Sequence, residues 1–376
     1  MKYVIDKTTL TAIGDAVRAK GNTEDKILVS NLATAISNLP TGGGGDIEVE
    51  PIELTGAQAY GCAGELASCF IKLYGDKVST KELADVSYMF YYSTVEFIPF
   101  SLNMGSVTDR NCVYLFANSY YLKSAPECNN FYPSSLNYLF KDCYRLREIP
   151  EEFGDNWNWS SVNTGSMSNC SSIFANCYSL RRVPQSFLKH LWGIQTTSYT
   201  PTYNLFNECY SLDEVRNLPI QQGNQTSNMF NNTITNCHRL KSLIFITNED
   251  GTPKTASWKS QTIDLSRYVG YSTTTTSRIT NYNSGITLDK RVVSTNDYQA
   301  LKNDPDWWSD QIGFSRYNHD SAVETINSLP DCSATGTNTI KFKGASGSAT
   351  DGGAINTLTE AEIAVAAAKG WTVTLT

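Results

Sequence analysis

The chain has 376 residues, of which 18% are charged, 40% hydrophobic and 11% aromatic. That length is roughly two to three times a common domain of ~100–150 residues, so it calls for several domains or one elongated repeat array, and the apolar content is too high for disorder. A formal net charge of −7 argues against nucleic acid as a partner, because such affinity is built from Lys and Arg.

The chain opens Met1-Lys2-Tyr3-Val4-Ile5-Asp6-Lys7, with charges where the apolar core of a signal peptide would lie. Synthesis in a cytosol without export by the usual route is therefore expected. Residues 1–40 then read as two short amphipathic helices. Leu10, Ile13 and Val17 lie at helical spacing before Gly21, and Ile27, Leu28, Leu32, Ile36 and Leu39 before Pro40. Neither is long enough to be stable alone, so they are expected to pack on each other, on copies of themselves or on a partner. Residues 41–46, with four consecutive glycines, read as a linker; no strand precedes the tract to make it a phosphate loop.

The next region, 47–258, contains an internal repeat. Phe140-Lys-Asp-Cys143-Tyr-Arg-Leu146-Arg-Glu-Ile149-Pro150 is matched by Phe174-Ala-Asn-Cys177-Tyr-Ser-Leu180-Arg-Arg-Val183-Pro184 and by Phe206-Asn-Glu-Cys209-Tyr-Ser-Leu212-Asp-Glu-Val215. Weaker copies begin at Met89-Phe90, at Phe116 with Leu122 and at Ile234 with Cys237 and Leu240, and the anchors stand 24 to 34 residues apart. The spacing predicts a short helical turn that points Phe and Cys inward, followed by an extended Leu-x-x-Ile before Pro. One such unit cannot bury its apolar face alone, and stacking would bury it continuously, Phe over Phe and Cys over Cys. Cys143, Cys177, Cys209 and Cys237 therefore read as small core residues. The chain has no C-x-x-C and only 3 His, so metal ligands and general bases are scarce; no metal, no cofactor and no enzyme activity are expected.

Residues 259–376 read as an α/β continuation and cap. Strands are predicted at 261–265, 286–288, 339–342 and 371–375, and helices at 296–302, at 320–329 and from the capping box Thr359-Glu-Ala-Glu362 to Gly370. No stretch approaches the ~18 consecutive apolar residues of a membrane-spanning helix, so no membrane insertion is expected.

The motif F-x-x-C-x-x-L-x-x-I-P resembles the BspA-like leucine-rich repeats, over about residues 84–246, and Met89-Phe90 keeps the Met that often precedes it. The stretch from Tyr317-Asn-His-Asp through Asn327-Ser-Leu-Pro330 to Lys369-Gly-Trp-Thr-Val373 is similar to the C-terminal segment of BspA-like proteins encoded in gut bacteriophages and prophages. Thr11-Ala-Ile-Gly-Asp-Ala-Val-Arg-Ala-Lys20 with Leu32-Ala-Thr-Ala-Ile36 resembles the helical start of phage tail, fibre and baseplate proteins. The resemblance implies an α/β solenoid of the leucine-rich-repeat class with irregular rungs and a short helical N-terminal module. It implies a non-enzymatic virion protein that meets other virion proteins through residues 1–45, forms a homo-oligomer and binds a host cell-surface protein or glycan.

The ladder residues expected inside are Phe116, Phe140, Phe174, Phe206, the four cysteines, Leu146, Leu180, Leu212 and Leu240. Candidate ligand contacts are Trp157, Trp159, Trp192, Trp258, Trp307 and Trp308, since ring faces stack on sugars and form hot spots. The competing reading, favoured for each ring, is that it caps the solenoid or packs under its loop. Trp157 and Trp159, in the longest segment between copies, are the best candidates of the set for exposure. A purely structural head or tail decoration and a cell-envelope depolymerase are the rival functions, although no G-x-S-x-G elbow is present.

Overall fold

The computed structural model describes residues 51–56, 71, 74–83, 86–104, 110–159, 170–192, 204–209, 211–218, 233–234, 237, 240, 242–245, 262–265, 319–334, 336–342 and 358–375. The predicted N-terminal helices and glycine linker lie outside these residues, as do the predicted strand at 286–288 and helix at 296–302.

Each repeat copy is a run of overlapping four-residue turns. Around Phe140, the amides of Leu139, Lys141 and Cys143 donate to the carbonyls three residues back, those of Leu136, Tyr138 and Phe140. The alternate amides leave the copy: Tyr138, Phe140 and Asp142 donate to the carbonyls of Ser171, Ile173 and Ala175 at 3.1, 2.8 and 2.8 Å. This corrects the expected helical turn. A helix would consume its amides internally, whereas here every second one is free to tie a copy to the next.

The alternation requires left-handed residues two before and two after each Phe. Tyr88 and Tyr92 flank Phe90, Tyr114 and Asn118 flank Phe116, Tyr138 and Asp142 flank Phe140, Ser172 and Asn176 flank Phe174, and Asn204 and Glu208 flank Phe206, with φ between 52° and 64°. Asn and Asp tolerate this region, while Tyr adopts it at a cost of roughly 1–2 kcal/mol. Stacking offsets part of that cost: Tyr88, Tyr114 and Tyr138 lie ring on ring, with centroids 5.1 and 4.6 Å apart.

With the backbones tied, equivalent side chains fall in register. Phe90, Phe116, Phe140, Phe174 and Phe206 form a column with neighbouring centroids 4.9 to 5.8 Å apart and interplanar angles of 5° to 11°. All five are fully buried, as are Leu146, Leu180, Leu212 and Leu240. A buried Phe or Leu of this kind contributes about 1.5–3 kcal/mol. Beyond the turns the chain is extended, and short strands pair in parallel from copy to copy.

Strand β1 (Ile52–Gly56) pairs with β2 (Val78–Leu83), and β3 (Leu102–Asn103) with β5 (Cys128–Asn129). Strand β4 (Arg110–Asn111) pairs with β6 (Pro133–Ser135), and β7 (Glu214–Leu218) with β8 (Ser242–Phe245). Helix α1 (Gln185–Trp192) follows Pro184 and turns Phe187, Leu188 and Leu191 into the core.

The C-terminal part is built of β9 (Thr262–Asp264), α2 (His319–Ser328), β10 (Asn338–Phe342), α3 (Glu360–Ala368) and β11 (Trp371–Leu375), with β10 central in a parallel sheet. Thr359 and Glu362 close a capping box on α3. Gly370, at φ 78°, ends that helix where a Cβ would stand 2.9 Å from the backbone of Cys332. Helix α2 lies on β8: Thr325 Oγ1 donates to Leu243 O at 2.8 Å and Phe245 N donates to Ser328 Oγ at 3.2 Å. These bonds satisfy groups a bare strand edge would expose.

Candidate functional site

The thiols of the ladder cysteines are structural donors. Cys143 Sγ reaches Phe116 O, Cys177 Sγ reaches Phe140 O and Cys209 Sγ reaches Phe174 O, each at 3.1 Å, and Cys237 Sγ reaches Phe206 O at 3.2 Å. Burial pushes these thiols well above the ordinary thiol pKa. At this depth they stay protonated, unlike the thiolates that bind metals or attack substrates. Among the described residues, no group of three or more His, Cys, Asp and Glu is placed to hold a metal ion. No helix among them is long and apolar enough to cross a membrane.

The tryptophans divide differently from the sequence expectation. Trp157 is buried, as the packed reading of these rings has it, and this corrects its place among the candidate ligand contacts: its ring stacks on Phe131 at 5.0 Å and its Nε1 donates to Cys128 O at 2.6 Å. The segment that carries it lies against the preceding copy, which offers both a ring and a carbonyl oxygen. Trp159 is half-buried, sandwiched between Trp157 at 5.4 Å and His190 at 5.0 Å, and its Nε1 donates to Gly154 O. Burial lowers the pKa of His190 despite Asp155 nearby, so a neutral imidazole covers that ring at neutral pH. Trp192 ends α1, and its side chain lies outside the described residues, as do Trp258, Trp307 and Trp308.

Among the described residues an open concavity lies elsewhere, on the strand side of the first three copies, with a volume of about 610 Å³. Its apolar floor comes from the residues that close the motif: Ile98-Pro99, Ala125-Pro126 and Pro150. Proline is tolerated there because Pro99 and Pro126 stand before the paired strands Leu102–Asn103 and Cys128–Asn129 begin, where no ladder amide is needed. The polar wall comes from the residues just beyond, Ser101, Asn103, Glu127 and Asn129, and from Asp76 and Thr80 of the preceding segment.

These polar groups are positioned by the pairing of β3 with β5, which sets Asn103 beside Asn129. Asn130 Nδ2 donates to Asn103 Oδ1 at 3.0 Å, and Asn156 Nδ2 donates to Asn129 Oδ1 at 2.7 Å. Thr80 Oγ1 donates to Ser101 O at 2.9 Å and accepts from Asn103 N at 2.6 Å. Ser101 Oγ donates to the exposed Glu127 at 3.1 Å. Sequence reasoning centred on tryptophan missed this groove. The signal it carried was the proline that ends the copies at Phe90, Phe116 and Phe140, with amides and carboxylates following it.

Comparison with protein-family models, with curated proteins and with solved structures yields no match.

Proposed function

We propose that the chain is a non-enzymatic structural protein of a bacteriophage virion, in a tail fibre, tail tip or baseplate, whose repeat region is a BspA-like leucine-rich solenoid that binds the host bacterial surface. The groove across the first three copies carries this reading. It is broad, open and lined by amides, hydroxyls and proline faces, a set suited to holding a ligand in place. The clear ladder thiols are engaged in the stack and leave the groove to side chains that recognise by hydrogen bonding. The virion assignment draws on the likeness of residues 1–40 to phage particle proteins.

The purified full-length chain, added in excess, is expected to bind intact host cells and to block adsorption of the particles that carry it. Binding without blocked adsorption would favour a decoration, and release of soluble glycan from purified cell walls would make the protein a depolymerase. Removal of residues 1–45 is expected to abolish incorporation into the particle; normal incorporation would refute the attachment role.

A further inference from the structure

We propose that the groove takes an uncharged, hydroxyl-rich glycan laid along the stacking direction, with Asn103 and Asn129 as fixed donors and Glu127 as acceptor. The proposal rests on the host-surface reading above and names its ligand class. The oxygen of each asparagine is held by an amide from the following segment, Asn130 or Asn156. The Nδ2 group of each therefore points away from that bond, with no protein acceptor among the described residues. Two oriented amide donors, one per copy, are in place before any ligand arrives, which lowers the entropic cost of binding.

The backbone of the wall is already committed. Leu102 N donates to Glu127 O at 2.8 Å and Met104 N to Asn129 O at 3.1 Å. An extended peptide that binds by adding a strand needs an unpaired edge, and this face presents side chains instead. The lining contains the carboxylates Asp76 and Glu127 and neither Lys nor Arg. A polymer of phosphates or uronates would be repelled, whereas a carboxylate beside an amide donor suits the alternating donor and acceptor capacity of sugar hydroxyls.

The repeat adds a length match. Paired strands lie ~4.8 Å apart, close to the length of one sugar ring along an extended chain. Equivalent groups on successive copies, Asn103 and Asn129 on the wall and Pro99 and Pro126 on the floor, then meet consecutive sugars, with the proline C–H faces against the rings.

The test uses the full-length chain and two variants. Asn129→Asp keeps an oxygen for Asn156 to donate to, removes the free Nδ2 donor and adds a negative charge. Glu127→Gln removes an exposed charge and leaves the strand pairing untouched. Calorimetric titrations use hexasaccharides of N-acetylglucosamine, glucose and galactose, poly(glycerol phosphate) and hexalysine. At least one neutral hexasaccharide is expected to bind saturably, about tenfold more weakly to Asn129→Asp and several-fold more weakly to Glu127→Gln. Binding of only the poly(glycerol phosphate) or the hexalysine, binding of no neutral sugar, or neutral binding unchanged in both variants would each overturn the proposal. Fluorescently labelled protein on intact host cells separates the two levels: attachment to cells without neutral-sugar binding sinks the glycan class alone. Absence of attachment sinks the host-surface reading with it.

Discussion

Cys177 Sγ stands 3.1 Å from the carbonyl oxygen of Phe140 in the preceding copy, and the same relation recurs from Cys143 to Phe116 and from Cys209 to Phe174. In the Phe116 copy, where the ladder has serine instead of cysteine, Ser119 Oγ reaches Phe90 O at 2.6 Å. The position therefore needs a small side chain with a hydrogen to give. Cys177→Ser is expected to keep the bond, while Cys177→Ala loses it and leaves a gap, costing about 1–2 kcal/mol more than serine does. Urea unfolding monitored by tryptophan fluorescence checks this, and an alanine variant as stable as the serine variant would show the bond to be inconsequential.

Thiol titration gives a second check. Of the 10 cysteines in the sequence, the eight among the described residues are all free and buried, and burial raises the pKa of Cys170 to about 12. Under native conditions at pH 8, an aromatic disulfide reagent is expected to label at most two thiols per chain, and all ten once the chain is unfolded. Rapid native labelling of more than two would mean that the stack opens readily.

Ser172 is buried at φ 56°, a conformation glycine adopts freely and a β-branched side chain resists. Ser172→Gly is expected to be neutral or to stabilise slightly, and Ser172→Val to cost about 2 kcal/mol. Thermal melts of the two variants measured side by side test the left-handed geometry directly.

His319 bridges the C-terminal helices: Nδ1 faces Asp320 and Nε2 faces Glu362, both at 3.1 Å. The hydrogen bonds to Asp320 and then to Glu362 raise its pKa above 6.5. A raised folded-state pKa means that the stabilisation is complete below 6.5 and is lost as pH rises through the folded value. Glu362 works in the opposite direction. Its pKa is lowered first by the Thr359 amide and also by His319, so its contribution is present above the ordinary carboxylate pKa and fades in acid. Amide-exchange protection in α3, taken relative to the intrinsic exchange rate at each pH, is expected to be greatest in mildly acidic solution, between these limits. His319→Gln should flatten the alkaline side of that profile.

Trp157 joins two copies through Phe131 and Cys128 O. Trp157→Phe is expected to lose about 1 kcal/mol with the carbonyl bond and Trp157→Ala about 3–5 kcal/mol with the ring. Neither should alter the affinity of the groove if the fold is retained. A selective loss of ligand binding in the phenylalanine variant would restore Trp157 as a contact.

What could be read in the amino-acid sequence was the part repeated at fixed spacing. Phe, Cys and Leu recur three residues apart, and such regularity marks them as interior because each copy meets an equivalent neighbour. The capping box at Thr359 was legible for the same reason: it is a local device, complete within four residues. The left-handed residues beside each Phe were hidden, since Tyr, Ser, Asn, Asp and Glu all occupy those sites and share no side-chain signature.

Tertiary structure decided where the tryptophans went and where the groove opened. Trp157, among polar neighbours, was a candidate for exposure and ligand contact, yet the ring and carbonyl that receive it lie in the preceding copy, 26 and 29 residues earlier in the chain. The groove depends on Asn103 and Asn129 standing side by side, which the rung-to-rung hydrogen bonds impose. Sequence sets what each copy can bury, because burial follows from side-chain chemistry; what two copies form together follows from their register, which exists only once the backbones are tied.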